Sequence, residues 1–196
     1  MKALIVIDAQ NEFSEAGCRP VPGHDKILSR IRWRIQRARK NKEPIAWVQH
    51  HNKPHESPAF IPGSWGAELS SGLGPKSESR FEKLFQKDVF GAFFGTGLED
   101  WLHAMNVDEL LLVGFFAHMC LSTSTREALV RGFSVAIDPE ATGARDLAHP
   151  LLGRQTADEV RRTALLQLSD MGAEILEVSH GDSGSSKPVF GEGTVT

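Results

Sequence analysis

Short aliphatic segments alternate with amphipathic helical segments along the chain, and this alternation most constrains its fold. Ala3–Asp8 is typical of a buried strand, Asp25–Lys42 of a basic amphipathic helix and Pro44–His50 of a second strand. A long loop rich in glycine and proline, 51–79, follows. The remaining predicted elements are strand Phe81–Gln86, helix Thr96–Met105, strand Glu109–Val113, helix Leu121–Arg131, strand Ser134–Ile137, helix Ala157–Met171 and strand Ala173–Val178.

Strands that alternate with helices pair in parallel, because each helix returns the chain to the same edge of the sheet by a right-handed crossover. We therefore predict an α/β fold, a single three-layer domain with a six-stranded parallel sheet in the order 3-2-1-4-5-6 and helices on both faces. The order reverses between strands one and four. Ligands bind beyond the carboxyl ends of strands at such a reversal, so a site is expected there.

Length and composition favour one domain that acts on a small molecule. The 196 residues are 40% hydrophobic, which is enough for one core, and a formal net charge of −3 does not indicate a partner of nucleic acid. The sequence shows no apolar span for a membrane and only two cysteines, so we expect a cytoplasmic location. We predict a globular domain over 1–178 and a polar tail over 179–196.

Cys120 follows the fourth predicted strand and precedes a predicted helix. A helix N-terminus stabilises a thiolate and can lower the pKa of a cysteine from about 8.5. Asp8 ends the first strand and Lys87 follows the third. The carboxylate could accept the thiol proton, the ammonium could balance charge, and the thiolate could attack an electrophilic carbon. The alternatives are a core cysteine, an aspartate that caps a turn and a solvent-facing lysine.

Four groups of residues occur in an order and spacing that match a known family. They are Asp8-Ala-Gln10-Asn-Glu-Phe13, Pro62-Gly-Ser-Trp-Gly-Ala-Glu68, Lys87 with Ala92-Phe93 and Gly95-Thr96, and Gly114-Phe-Phe-Ala-His-Met-Cys120 with Ser124-Thr-Arg-Glu-Ala128. From Ala3 to Val178 the chain resembles the cysteine hydrolases of the isochorismatase-like superfamily, which includes nicotinamidases, carbamoylsarcosine amidase and ureidoacrylate hydrolases.

This resemblance implies that a triad of Asp8, Lys87 and Cys120 hydrolyses a carbon–nitrogen bond through a covalent thioester. We expect no cofactor. It also implies a cis peptide between Phe115 and Phe116, with the N–H groups of Phe116 and Cys120 binding the oxyanion. Lys83 is a rival to Lys87 on the same side of the strand. Lys87 is favoured because the family lysine precedes an Ala-Phe pair by five and six residues, as here.

Five residues are candidates for substrate binding by their place in these segments. They are Gln10, Phe13, Trp65, Phe116 and His118. His118 could instead bond to the backbone. We expect a small amide, carbamoyl or ureido substrate that is planar or carboxylated.

His50, His51 and His55 suggest a metal site, since imidazole is a common ligand of zinc, iron and nickel. Nicotinamidases generally carry Asp-x-His at this strand end, whereas this chain has Gln49-His50-His51. Glutamine is a poor ligand for such metals, so we predict no metal.

Two other functions stay open: an isochorismatase that cleaves a vinyl ether, and a binding domain of the same fold that has no activity. Family members often assemble, so we expect a homo-oligomer. Gly181-Asp-Ser-Gly184 resembles the nucleophile segment of trypsin-like proteases, but an α/β chain lacks their scaffold. A disulfide between Cys18 and Cys120 is not expected in a reducing cell.

Overall fold

Six parallel strands form the central sheet of this protein in a computed structural model, which describes residues 1–177. Its strands are β1 (Lys2–Ile7), β2 (Ile45–His50), β3 (Glu82–Lys87), β4 (Glu109–Gly114), β5 (Ser134–Thr142) and β8 (Glu174–Ile175), and two further strands outside it are β6 (Leu147–His149) and β7 (Gly153–Gln155). The α-helices are α1 (His24–Asn41), α2 (Leu98–Ala104), α3 (Cys120–Val130) and α4 (Ala157–Asp170).

The order of the sheet is β3-β2-β1-β4-β5-β8. This confirms the predicted order 3-2-1-4-5-6, because β8 is the sixth strand of the sheet. The sequence did not predict β6 and β7, which form a separate antiparallel hairpin of three-residue strands, too short to show a pattern. The last strand is also shorter than predicted, and Val178 and the predicted tail, 179–196, lie outside the described residues.

Alternation along the strands builds a core on each face of the sheet. In β1, Leu4 and Val6 pack against the α1 face, while Ile5 and Ile7 pack against the face that carries α2, α3 and α4. The three-layer arrangement is therefore the predicted one. Within residues 1–177, no helix combines the length and hydropathy that crossing a membrane requires.

A buried cluster of charges ties α1 to β5. Oδ2 of Asp138 accepts hydrogen bonds from Nε of Arg30 at 2.7 Å and from Nε of Arg34 at 2.5 Å, and its Oδ1 accepts from the Glu140 N–H at 2.9 Å. Burial alone would raise the pKa of Asp138, but Arg34 and Arg30 outweigh it, and the pKa lies below its ordinary value. Every oxygen of this carboxylate is thus paired.

The sheet order reverses where β1 and β4 lie side by side, with Ile7 opposite Gly114. Gly114 has a φ of +121°, and a Cβ there would lie 1.9 Å from the Ile7 carbonyl oxygen. Only glycine fits this close approach. It lets the chain leave β4 beside Asp8 and enter α3 at Cys120.

Candidate active site

Three predicted residues, Asp8, Lys87 and Cys120, lie together beyond the carboxyl ends of the strands. Asp8 follows β1, Lys87 is the last residue of β3 and Cys120 is the first of α3. They are 1%, 4% and 8% exposed. Nζ of Lys87 lies 2.9 Å from Oδ2 of Asp8, and both side chains also interact with the Cys120 thiol.

The position of Lys87 depends on the register of β3. The strand runs one residue beyond the predicted Phe81–Gln86, so Lys87 lies opposite His50 in β2 and points inward, like Phe85. Lys83 is exposed near the start of the strand. The structure therefore brings Lys87, and not its rival, to Asp8 and Cys120.

The cysteine thiol is held in its neutral form. Burial raises the pKa of Cys120, the Asp8 carboxylate raises it further, and Lys87 only partly offsets them. We expected the N-terminus of α3 to lower this pKa, and the structure gives the opposite direction. Burial would also lower the pKa of Lys87, but Asp8 and Cys120 outweigh it, and the net pKa is raised. The resting state therefore pairs a thiol with an ammonium and a carboxylate.

The Asp8 carboxylate is buried without any well-aligned hydrogen bond from residues 1–177. Its backbone has a φ of +49°, in the left-handed region, and its N–H still donates to the Val48 carbonyl at 2.9 Å. Asparagine and aspartate tolerate this conformation better than most residues. The turn places at the site a carboxylate that accepts no well-aligned hydrogen bond within the described residues, so its oxygens remain available to accept a proton.

Two backbone donors near the thiol are also without acceptors. The N–H groups of Phe116 and Cys120 donate to no acceptor within residues 1–177, whereas the neighbouring Ala117 N–H donates to Gly143 at 2.8 Å. The Phe115–Phe116 peptide is cis. These two N–H groups therefore remain available to an acceptor supplied by a ligand.

The segment after Lys87 is tied to the helix that carries Cys120. Oγ of Ser124 accepts from the Ala92 N–H at 3.1 Å and donates to the Cys120 carbonyl at 2.6 Å. The Phe93 N–H donates to a Glu127 carboxylate oxygen at 3.1 Å. These bonds explain the Ala-Phe and Ser-x-x-Glu pattern, because they fix the end of β3 against α3.

Asp8 and Cys120 open into a cavity of about 280 Å³. Its apolar wall contains Phe13, Phe60, Phe90, Phe116 and Met119. Phe13 packs edge-on against Phe116 with ring centroids 4.8 Å apart. A cavity of this size and lining suits a small, flat molecule.

Two guanidinium groups, those of Arg19 and Arg145, also line the cavity. Nε of Arg145 is buried without an acceptor in the described part of the chain, and its Nη1 makes only a 3.3 Å bond to the Asp146 carbonyl. Neither arginine has a carboxylate partner within 4 Å among residues 1–177. The cavity thus places two guanidinium groups beside the carboxylates of Asp8 and Glu56 in its lining.

Of the five predicted substrate-binding residues, Phe13 and Phe116 line this cavity and two others are positioned differently from the prediction. Gln10 is fully buried, and its side chain donates to the His50 and Ala67 carbonyls and accepts from the His50 N–H. Trp65 is 52% exposed and lines a separate surface depression. Gln10 is therefore a backbone clamp, and Trp65 does not form the wall of this cavity in the single chain.

His118 packs behind Phe116, with the two rings stacked at 5.2 Å. Burial and the nearby Arg145 lower the pKa of His118 to about 4, so its ring is neutral. Neither ring nitrogen has a hydrogen-bond partner within residues 1–177, so the alternative role, a bond to the backbone, is not seen there. Its contact with Phe116 supports the cavity wall from outside.

Of the three histidines considered as metal ligands, His50 has both ring nitrogens engaged. Nε2 lies 2.7 Å from Oδ1 of Asn52, and Nδ1 lies 3.2 Å from Nζ of Lys87. His51 is partly buried and His55 is exposed. Within residues 1–177, no three side chains of His, Cys, Asp or Glu lie close enough together to bind a metal ion.

The sequence interpretation missed Arg19, Arg145 and Asn52 as cavity residues. Arg145 follows β5, next to the reversal point, and its position beyond a carboxyl strand end was the available signal. Asn52 follows β2 in the same way. Arg19 lies in a loop whose path no sequence pattern indicated.

Comparisons with known proteins identify the family to which this chain is similar. A family model described as the isochorismatase domain matches residues 2–179. The chain is 31% identical over 168 residues to a secreted isochorismatase effector of Verticillium dahliae, which covers 86% of this chain and 83% of that protein. It is 26% identical over 153 residues to nicotinamidase 3 of Arabidopsis thaliana, covering 71% and 72% of the two chains.

Among solved structures, an isochorismatase from Pseudomonas putida aligns with a TM-score of 0.81 and 28% identity, covering 89% of this chain and 86% of that one. The strand order, the place of the site at the β1–β4 reversal and the match over 2–179 agree with one another. The chain belongs to the isochorismatase family of hydrolases.

Proposed function

We propose that this protein hydrolyses the carbon–nitrogen bond of a small amide, carbamoyl or ureido compound through a thioester on Cys120. One observation carries the proposal: a neutral, buried Cys120 thiol interacts with an Asp8 carboxylate that has no other well-aligned donor in the described chain. Such a carboxylate is suited to take the thiol proton at the moment of attack. A nicotinamidase relative supports the choice of an amide bond.

In the first half of the reaction, Cys120 Sγ forms a bond to the substrate carbonyl carbon as Asp8 removes the thiol proton. The carbonyl oxygen becomes an oxyanion, which accepts from the Phe116 and Cys120 N–H groups. The carbon–nitrogen bond then breaks, and the leaving nitrogen takes the proton from Asp8. Ammonia or an amine leaves, and Cys120 carries the acyl group as a thioester.

In the second half, water attacks the thioester carbon and gives a proton to Asp8. A carbon–oxygen bond forms, the carbon–sulfur bond breaks and the departing sulfur regains its proton from Asp8. Lys87 stays protonated throughout, because its raised pKa keeps the ammonium charged. Its charge holds Asp8 and stabilises thiolate character on Cys120 during attack.

The cavity supports a substrate that is flat and negatively charged. Phe13, Phe60 and Phe116 offer faces to a planar group, and Arg19 and Arg145 offer guanidinium donors to a carboxylate. The buried, unpartnered Nε of Arg145 is a donor that a substrate carboxylate would satisfy.

Ammonia release from small amides, carbamoyl compounds and ureido acids tests this function. Each amide is paired with an analogue in which an ester or a hydrogen replaces the carboxylate. We expect release by the Cys18→Ala control, whose substituted thiol is exposed, and none by Cys120→Ala. Release by Cys120→Ala at the wild-type rate would overturn the thioester.

The same panel includes a vinyl ether, because an isochorismatase is the alternative enzyme. Vinyl-ether cleavage that persists in Cys120→Ala would replace the amide hydrolase by that alternative. If neither class turns over, and a flat carboxylate binds wild type and Cys120→Ala equally, the protein is a binding domain of the same fold.

We further propose a cytoplasmic homo-oligomer. Cys18 and Cys120 are free thiols, as a reducing compartment favours. Large apolar side chains are exposed at Phe94, Leu151 and Leu152, which are 70%, 88% and 85% exposed, and contact with a second copy would cover them. Light scattering on the purified protein measures the number of subunits.

A further inference from the structure

We propose that His50 and Asn52 are positioning residues that orient the Lys87 ammonium toward Asp8 and keep it charged. This proposal rests on the proposed role of Lys87 and extends it to two residues outside the triad. His50 is 6% exposed and Asn52 lines the cavity.

The hydrogen bonds of Asn52 determine which nitrogen of His50 carries hydrogen. Nδ2 of Asn52 donates to the Ala59 carbonyl at 2.8 Å, which places its Oδ1 against Nε2 of His50 at 2.7 Å. An amide oxygen only accepts hydrogen bonds. Nε2 of His50 must therefore be the donor, and in the neutral ring Nδ1 carries the lone pair.

That lone pair faces Lys87. Nδ1 of His50 accepts from Nζ at 3.2 Å, and the Val89 carbonyl accepts from it at 3.1 Å. An ammonium has three N–H donors. Two are held by neutral acceptors, and this arrangement keeps Nζ 2.9 Å from Oδ2 of Asp8 as an ion pair. Neutral acceptors stabilise the ammonium without cancelling the charge that Asp8 and Cys120 use.

The imidazole is held from its backbone as well as from its ring. Gln10 accepts from the His50 N–H at 2.8 Å and donates to the His50 carbonyl at 2.9 Å. Phe60 packs perpendicular to the ring with centroids 5.3 Å apart. The hydrogen bonds themselves all run one way: Lys87 donates to His50, His50 donates to Asn52, and Asn52 donates to the Ala59 carbonyl.

Alkylation of Cys120 by iodoacetamide at a fixed pH of about 8 tests the chain of contacts without substrate, because the thiolate is the nucleophile. The protein is the Cys18→Ala variant, and mass spectrometry follows modification over hours. We expect His50→Leu to slow alkylation about tenfold or more, by loss of a hydrogen bond to a charged group. His50→Asn, which can place an amide oxygen near the position of Nδ1, is expected to restore the rate to within about threefold.

The coupling to Lys87 is measured in a Lys87→Met background. There His50→Leu should have no further effect on alkylation. An equal effect in both backgrounds would overturn the proposal, as would an unchanged rate in His50→Leu with Lys87 present. A rise in KM with unchanged alkylation would make His50 a substrate contact instead. Circular dichroism of each variant monitors folding, and Asn52→Leu is a second variant expected to slow alkylation in the same direction.

Long-range proton–nitrogen NMR of the imidazole tests the tautomer directly. We expect hydrogen on Nε2 and a lone pair on Nδ1 in wild type, and loss of this preference in Asn52→Leu. Hydrogen on Nδ1 in wild type would overturn the proposal. Since neither measurement depends on hydrolysis of an amide, a silent substrate panel with intact coupling would contradict the proposed function alone. Amide turnover without coupling would contradict this proposal alone.

Discussion

Two buried aspartates in this protein, Asp138 and Asp8, are each 1% exposed but have different surroundings. Asp138 accepts well-aligned hydrogen bonds from Arg30, Arg34 and the Glu140 N–H. Asp8 has one cation 2.9 Å away and no well-aligned donor in residues 1–177. The first carboxylate is committed to holding α1 on the sheet. The second accepts no well-aligned hydrogen bond within the described residues and has Lys87 as its ion-pair partner.

The largest expected effect comes from removing the free carboxylate. Asp8→Asn keeps the shape but cannot accept the thiol proton, so we expect kcat to fall by about 10²- to 10⁴-fold. Its free energy of unfolding should also fall, because the buried Lys87 ammonium is left with two neutral acceptors and no carboxylate. Steady-state kinetics and urea unfolding measure the two quantities. Unchanged kcat would remove Asp8 from the mechanism.

Asp138→Asn should lower the free energy of unfolding and leave kcat almost unchanged. It leaves the partly buried guanidinium groups of Arg30 and Arg34 without the buried Asp138 carboxylate, and only Glu140 remains, 3.7 Å from Arg30. We therefore expect a loss of about 3 kcal/mol in the free energy of unfolding. The activity per folded molecule should be close to wild type. The matched control is Asp158→Asn, which removes a surface pair with Arg161 and should cost about 1 kcal/mol or less. A loss of unfolding free energy in Asp138→Asn no larger than in Asp158→Asn would contradict the structural role of Asp138.

The pH dependence of stability should come from the paired carboxylate. The folded pKa of Asp138 is lowered, so its contribution is complete above the unfolded pKa of about 3.9 and is lost as the pH falls through the folded value. The difference in unfolding free energy between wild type and Asp138→Asn should therefore shrink below about pH 4. Urea unfolding at a series of pH values measures it. A difference that is constant down to pH 2 would contradict the lowered pKa.

The smallest expected effect is at Trp65. Because this side chain is 52% exposed and lies apart from the cavity, Trp65→Ala should leave kcat/KM within about twofold. Phe13→Ala, which removes a cavity wall, should raise KM for a flat substrate. A rise in KM for Trp65→Ala as large as for Phe13→Ala would return Trp65 to the binding site.

The sequence predicts the sheet and the meeting of Asp8, Lys87 and Cys120 because both depend on regular features. Strand and helix periods give the topology, and the topology brings the strand ends together. The direction of a side chain in an irregular segment has no such period. The sequence therefore did not indicate that Gln10 and Trp65 lie outside the lining of the cavity or that Arg145 lies in it.

The thiol pKa was wrong for a related reason. The helix N-terminus is visible in the sequence, whereas the depth of Cys120 and its approach to Asp8 are properties of the folded chain. The same holds for the tautomer of His50, which depends on Asn52 two residues away and on the path of the loop to Ala59.

The protonated state of Cys120 also bears on the survival of the enzyme. Oxidation of cysteine to sulfenic acid and beyond begins from the thiolate and requires access. A sulfur that is buried and keeps its proton between turnovers is a poor target for peroxide. We therefore expect peroxide to oxidise Cys120 slowly. Its vulnerable interval would be the instant of attack, when the substrate already occupies the cavity that Cys120 lines.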